Sequence, residues 1–311
     1  VRKVAVPQTI ARKKKRDWYG LGFITLFLLP ALVILGAFMF YPIKETFRLS
    51  FMRSSGFGEE IYVGWLNYQR IFASPEFRQG FINVFTWAFW SVVIQIPLAF
   101  FIAFTCVNFR TRLIGRLRGV YYLSNVLPSA ITAMLGVFIF SPTSGVIKTF
   151  AKSVGWQWLE RIDFLGDPNI AFWSLFSLAT WAYIGFGIIY LMANIEQIPS
   201  QIREAALIDG ATQLQYAWRI VIPYVSYALR VQAILATVGS IKLFDLPYMV
   251  TLGGPRNATV TLGITLYREA FLNWQYGRGA AIGVIIFLIC LAITVLQFAF
   301  VNNADTTSEV F

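Results

Sequence analysis

Histidine is absent from all 311 residues. The usual general acid–base near neutral pH and the commonest metal ligand are therefore missing. Cysteine is nearly absent. Cys106 and Cys290 both lie inside apolar runs, which reads as two small buried side chains and argues against a disulfide framework. Charge is scarce, at 13% of residues, against about 25% in a soluble globular chain. The sequence has no GxxxxGK[ST] loop to wrap a nucleotide and no GxSxG elbow. These absences leave no basis for a metalloenzyme, a nucleotide hydrolase or a serine hydrolase, and no metal site is expected.

Long apolar stretches fill the space. The chain is 57% hydrophobic with a mean hydropathy of +0.63. About 20 apolar residues as helix cross a bilayer core. Six stretches qualify: Leu21–Tyr41, 79–109, Gly119–Phe140 with Pro128 inside, 168–195, Tyr224–Met249 and 279–304. The expected fold is an all-α integral membrane protein of six transmembrane helices. A basic arm (1–19), one membrane domain (20–303) and a short tail (304–311) follow from that division.

The net charge of +11 reads as loop asymmetry and lipid contact rather than nucleic-acid binding. Seven Lys/Arg stand in the first 18 residues, and no small-residue cleavage site follows, so this arm does not read as a secretory signal. Four arginines stand in "RTRLIGRLR" at 110–118. The positive-inside rule then puts both termini, 110–118 and 194–223 in the cytoplasm. On the opposite side, 62–72 reads either as an interfacial helix anchored by Trp65, Tyr68 and Phe72 or as an ordinary aromatic-belt segment. Asn83 and Asn194, near span ends, read as interfacial.

The stretch "IPSQIREAALIDGATQLQYAWRIVIP", 198–223, is too polar to cross a membrane. Pro199 ends the preceding pattern. Ser200 is placed to cap a helix over Gln201–Ile208. Gly210 supplies a turn or a left-handed C-cap. A second helical piece runs from Thr212 to Ile220 and stops at Pro223. Ala205, Ala206 and Ala211 leave a thin surface, and Glu204 offers a carboxylate from it. Such a surface suits docking into a partner's cleft.

Glu204-Ala205-Ala206, Gly210, Ile220 and Pro223 match EAA-x3-G-x9-I-x-L-P, with Asp209 inside "IDGA" and Ile222 in place of the leucine. The chain thereby resembles the membrane (permease) subunits of ATP-binding-cassette (ABC) importers. A second block, "FDLPYMVTLGGPRNATVTLGITLYREAFLNWQYGRGAA" at 244–281, resembles the maltose and glycerol-phosphate carbohydrate permeases, of the first-permease type with the Gly-Gly-Pro block.

That resemblance implies a type I ABC-importer permease fold and alternating access. It implies a second related permease, two ATPase subunits that bind ATP and Mg, and an extracytoplasmic solute-binding protein. This chain would bind no cofactor and hydrolyse nothing. It would sit as a multi-pass protein in a bacterial or archaeal cytoplasmic membrane. The 198–223 loop would be the coupling helix, with Glu204 forming a charge-assisted bond to an ATPase arginine or backbone amides. Placed by the same resemblance, Tyr183, Phe186, Gly239, Ser240 and Leu243 would line a sugar pathway.

Lys242 and Asp245, three apart in an apolar span, would share a helical face. Lys242 either attracts an acidic substrate, such as a uronate oligosaccharide or sugar phosphate, or snorkels outward or pairs with Asp245. Other readings stay open: a permease for another small solute such as a polyamine or amino acid, a secondary transporter, or a membrane enzyme. The last two give no account of the 198–223 loop.

Overall fold

The computed structural model describes residues 18–56, 58–108, 119 and 123–308. The basic arm up to residue 17, 110–118 and the last three residues lie outside them. The chain divides into two compact units, residues up to Arg48 and residues from Leu49 onward.

The first unit holds helix Trp18–Leu35, a π turn at Gly36–Phe40 and most of helix Tyr41–Ser50, whose last two residues belong to the second. The stretch Thr25–Ser50, here α1, has mean hydropathy 2.3 and length enough to span a bilayer.

In the second unit, α2 (Pro75–Asn108) starts four residues before the expected stretch 79–109. Pro75 needs no N–H partner in the first turn, and Ser74 Oγ accepts from the Phe77 N–H. α4 (Ala171–Ile195) and α6 (Tyr276–Ala299) are likewise long and apolar enough to span.

The third and fifth stretches differ from expectation. Helix α3 is Ser129–Phe140, only 12 residues. Pro128 is extended and stands at its N-cap, because a proline fixes its own φ and pushes its predecessor out of the helical region. Most of 109–122 lies outside the described residues. The fifth stretch, Tyr224–Met249, holds α5 (Ser226–Ile241), which meets the preceding Gln213–Tyr224 at 73° and forms a bent pair with it. α5 stops at Lys242, and a separate helix, Asp245–Thr251, follows. Four helices among the described residues can each span alone, and the bent pair would make five.

Three apolar clusters order the second unit. One joins Phe77 and Val84 of α2, Leu262, and Ala281 and Ile282 of α6. The next joins Trp87 of α2, Phe140 of α3, Phe172 and Phe176 of α4, and Leu246. The last joins Ala99–Cys106 of α2, Ile188–Ile195 of α4, and Ala206, Tyr216, Val221 and Ala228. α2 and α4 therefore run in one direction, and α5 runs back from the last cluster towards the second. Cys106 is buried in the last cluster, as a small apolar side chain.

The 62–72 segment is helical only over Leu66–Ala73. Trp65 and Phe72 are exposed, but Tyr68 is not an interfacial anchor. It is buried, and its hydroxyl donates to Ser50 Oγ at 2.8 Å. Asn67 Nδ2 beside it donates to the Ser50 and Met52 carbonyls, each at 2.9 Å.

Asn83 also departs from the interfacial reading. It is 6% exposed, and its Nδ2 donates to the carbonyls of Val260, Ala258 and Asn257 at 2.8, 3.1 and 3.3 Å. It thus holds the loop after the Gly-Gly-Pro turn, where Arg256 and Asn257 have positive φ. Asn83→Ala leaves those carbonyls without their donor and should cost about 2–3 kcal/mol. The expected result is faster tryptic cleavage after exposed Arg256 in the purified protein. Unchanged cleavage would mean the loop holds its shape without Asn83.

Candidate coupling surface and translocation cavity

The 198–223 segment folds as two short helices around a glycine turn. The first is Ser200–Ile208. Pro199, not Ser200, stands at its N-cap, and no side chain caps it. The helix ends in a Schellman turn. The Ala211 N–H reaches the Ala206 carbonyl at 2.9 Å and the Gly210 N–H reaches Leu207 at 3.1 Å. Gly210 has φ +76°, the left-handed value that a Cβ would strain. Thr212 and Gln215 then form a reciprocal capping box for Gln213–Tyr216. A π turn, Ala217–Val221, carries the chain on, and Pro223 lies inside the next helical turn, Ile222–Tyr224. The sequence placed the stop at Pro223, but the chain bends two residues later at Val225, where φ/ψ leaves the helical region.

The two faces of this segment differ. Ala206 is buried in the last apolar cluster with Tyr216 and Val221, and Ala211 and Ile220 pack against it. Of the three alanines expected to form a thin outer surface, only Ala205 is exposed. Glu204, Asp209 and Gly210 are exposed beside it, as are Leu207 and Ile208, the latter at 85%. Glu204 has no hydrogen-bond or ion-pair partner among the described residues. The inner side is tied to the end of α2. Arg203 Nη2 donates to the Asn108 carbonyl at 3.1 Å, and Asn108 Nδ2 donates to Gln213 Oε1. The outer face is thus an exposed carboxylate and apolar side chains on a rigid two-helix platform.

Between α2, α4 and α5 lies a cavity of about 350 Å³. Tyr183, Gly239, Ser240, Lys242, Leu243 and Asp245 line it, so six expected pathway residues meet at one place. Phe186 is not among the lining residues. It lies one turn further along α4 and stacks on Tyr190, with ring centroids 6.0 Å apart.

Lys242 and Asp245 do not share a helical face. α5 ends between them: Lys242 is its C-cap, Leu243 and Phe244 are non-helical, and Asp245 opens the next helix. No ion pair joins them among the described residues, and both are exposed. Irregular backbone at membrane depth is tolerated where it lines a polar cavity. Here the break brings both charged residues to the cavity wall.

Sequence reading missed the α2 side of this wall, Trp87, Ser91 and Gln95. Ser91–Gln95 is a π turn, a local widening of the helix often met at functional sites. Gln95 Nε2 donates to Thr180 Oγ1 at 2.9 Å, and Ser240 Oγ stands 3.4 Å from Ser91 Oγ. The available signal was a glutamine and a serine four residues apart inside an uncharged apolar run. A lining that combines the rings of Trp87, Tyr183 and Phe244 with hydroxyl, amide, ammonium and carboxylate groups suits a ligand with both CH faces and hydroxyls. No group of three or more Asp, Glu or Cys among the described residues is placed to hold a metal ion.

The model of the family described as "Binding-protein-dependent transport system inner membrane component" matches residues 95–304. The chain is 31% identical over 277 residues to the probable ABC transporter permease protein YurN of Bacillus subtilis, covering 88% of this chain and 94% of that one. It is 29% identical to the trehalose/maltose transport system permease protein MalF of Thermococcus litoralis, covering 87% and 90%. It is 28% identical to the sn-glycerol-3-phosphate transport system permease protein UgpA of Agrobacterium fabrum, covering 89% and 94%. Among solved structures, a chain of a bacterial ABC transporter involved in import of the acidic polysaccharide alginate superposes with a TM-score of 0.82 at 21% identity. That match covers 92% of this chain and 97% of the other.

Proposed function

Since this chain belongs to the family of binding-protein-dependent transport system inner membrane components, we propose that it is the permease through which a sugar or oligosaccharide passes inward. In this reading a solute-binding protein delivers the sugar, and ATP and Mg act in two separate ATPase subunits. A second, related permease completes the pathway. The saccharide assignment draws on relatives named for trehalose/maltose and for starch degradation products, which are 29% and 28% identical. The observation that carries it here is the cavity between α2, α4 and α5, with Trp87 and Tyr183 beside Ser240, Gln95, Lys242 and Asp245.

The chain has six spans in this proposal, α3 completed by the residues before it, and both termini in the cytoplasm. The platform at 198–223 then faces the ATPases, at the same end as the basic 110–118 segment that follows α2. Glu204, Ala205, Asp209 and Gly210 form the docking face, and Ala206, Ile220 and Pro223 shape it from within or beside it. The tie from Arg203 and Gln213 to Asn108 transmits a push on the platform to α2, and the shared apolar cluster transmits it to α4 and α5. The cavity wall is built from those same three helices, so moving them against each other would open it to alternate sides. The chain requires no catalytic group for this work.

Lys242 sets the charge of the substrate. Its ammonium has no carboxylate within ion-pair distance among the described residues, so a uronate or phosphate on the sugar would supply a counter-charge. The test is ATPase stimulation of the reconstituted complex with its cognate binding protein, over neutral, phosphorylated and uronic oligosaccharides. An acidic sugar should stimulate, and Lys242→Gln should weaken that stimulation about tenfold more than any response to neutral sugars. Equal loss for both classes would remove the acidic assignment. Stimulation by none of the sugars, but by a polyamine or amino acid, would remove the saccharide assignment and leave the permease.

A further inference from the structure

Between α3 and α4 the chain forms an amphipathic helix, Val146–Val154, that neither the coupling platform nor the cavity uses. At 100° per residue it has three distinct sides. Ala151 is fully buried, and Ile147 packs on the cluster that holds Phe140 and Phe172. Phe140 is the last residue of α3 and Phe172 stands in the first turn of α4. The helix is therefore pinned at the level where two apolar helices end, which in a membrane protein is the headgroup layer.

The second side is apolar and uncovered. Val146, Phe150 and Val154, four apart, are 48%, 54% and 48% exposed. The stripe continues into Trp156 and Trp158, whose rings stack at 6.4 Å, with Phe150 edge-on to Trp156 at 6.0 Å. The third side is basic. Lys148, Lys152 and Arg161, with Glu160, line a polar cavity of about 470 Å³. Lys148 Nζ donates to the Pro142 carbonyl at 2.6 Å, and Lys152 Nζ stands 3.8 Å from Glu160 Oε1. Three cations thus face one carboxylate. The neighbouring Asp163 and Asp167 accept from the Gly166 and Asn169 N–H groups and do not line this cavity.

We propose that Val146–Val154, with Trp156 and Trp158, is an interfacial helix that holds an anionic phospholipid. Lys148, Lys152 and Arg161 take the phosphate, and the Val146–Phe150–Val154 stripe takes the acyl chains. The occupant follows from three observations together. The pinning puts the helix at the depth of the headgroups. Tryptophan and lysine on adjoining sides match the apolar and charged layers of that interface. The excess positive charge complements an anionic headgroup. A free phosphate would satisfy the cations but leave the stripe in water.

Two measurements test this on the assembled transporter in nanodiscs. In the first, a spin label replaces Phe150 or Lys152, with Cys106 and Cys290 changed to alanine. The label at Phe150 should collide more with lipid-soluble oxygen, and that at Lys152 more with an aqueous nickel chelate. Preference of the Phe150 label for the chelate would overturn the proposal. So would shielding from both reagents, which would mean that a protein covers the stripe. The second measurement needs no cysteine change. Phosphatidylglycerol retained from a mixed phosphatidylcholine bilayer is measured by native mass spectrometry. Lys148→Gln, Lys152→Gln and Arg161→Gln together should lower retention about tenfold or more. Unchanged retention, or displacement by inorganic phosphate alone, would overturn it.

Discussion

Glu204→Ala should abolish most uptake by the assembled transporter while leaving the permease itself folded. The carboxylate is exposed on the outer face of Ser200–Ile208 and has no partner among the described residues. Its removal therefore costs the isolated chain little. In the complex, the expected loss is a charge-assisted bond worth about 1.5–3 kcal/mol, or roughly a 10- to 100-fold weaker engagement of the ATPase. Glu204→Gln, which keeps an acceptor but not the charge, should fall between the two. The readouts are ATPase subunit retention on the purified permease pair, transport, and thermal stability of the permease. Unchanged retention and transport would remove Glu204 from the coupling role. A drop in thermal stability alone would make it a structural residue. Leu207 and Ile208, exposed beside it, extend the same face and were not singled out by the motif. In the proposed docking, their apolar surface would be buried against the ATPase.

Gly277→Val should prevent accumulation of folded protein. A Cβ at Gly277 would stand 1.9 Å from the Met52 carbonyl oxygen and 3.0 Å from Asn67 Nδ2. Both atoms are already committed, since Asn67 Nδ2 donates to Met52 O at 2.9 Å. The clash is with backbone, so no rotamer change relieves it, and the first turn of α6 would have to move away. Overpacking of this kind costs about 3 kcal/mol or more, a large part of a domain's total stability. Gly239→Ala is the matched control, because nothing lies within 4 Å of a Cβ there. Folded yield and melting temperature in detergent measure both. Wild-type stability in the Gly277 variant would mean the α6 start is loose enough to yield.

The class of protein was legible in composition. Long uncharged runs, few charges and no histidine dictate a helical membrane chain, because only helices or closed barrels satisfy the backbone in lipid. The platform was legible in part, since the cap at Ser200 and the stop at Pro223 did not hold. Gly210 reads as a turn or left-handed cap, and the Glu204 block has a fixed pattern. These signals are local, carried by φ limits and by hydrogen bonds within four residues, so the sequence states them outright.

Tertiary structure decided what depends on distant neighbours. Whether Ala206 faces out or in depends on Tyr216 and α2 behind it. Tyr68 and Asn83 look like interfacial polar groups until Ser50 and the 257–260 carbonyls appear as their partners. The end of α5 at Lys242 has no proline or glycine to announce it. Packing of Leu243 and Leu246 against the α3–α4 cluster accompanies the break and brings Lys242 and Asp245 to one cavity. The α2 wall of that cavity, Trp87, Ser91 and Gln95, was invisible in sequence because it is made by α2 standing beside α4 and α5. Hydrophobic periodicity fixes which segments are helices, but it says little about which helix stands beside which, and the cavity exists only through that arrangement.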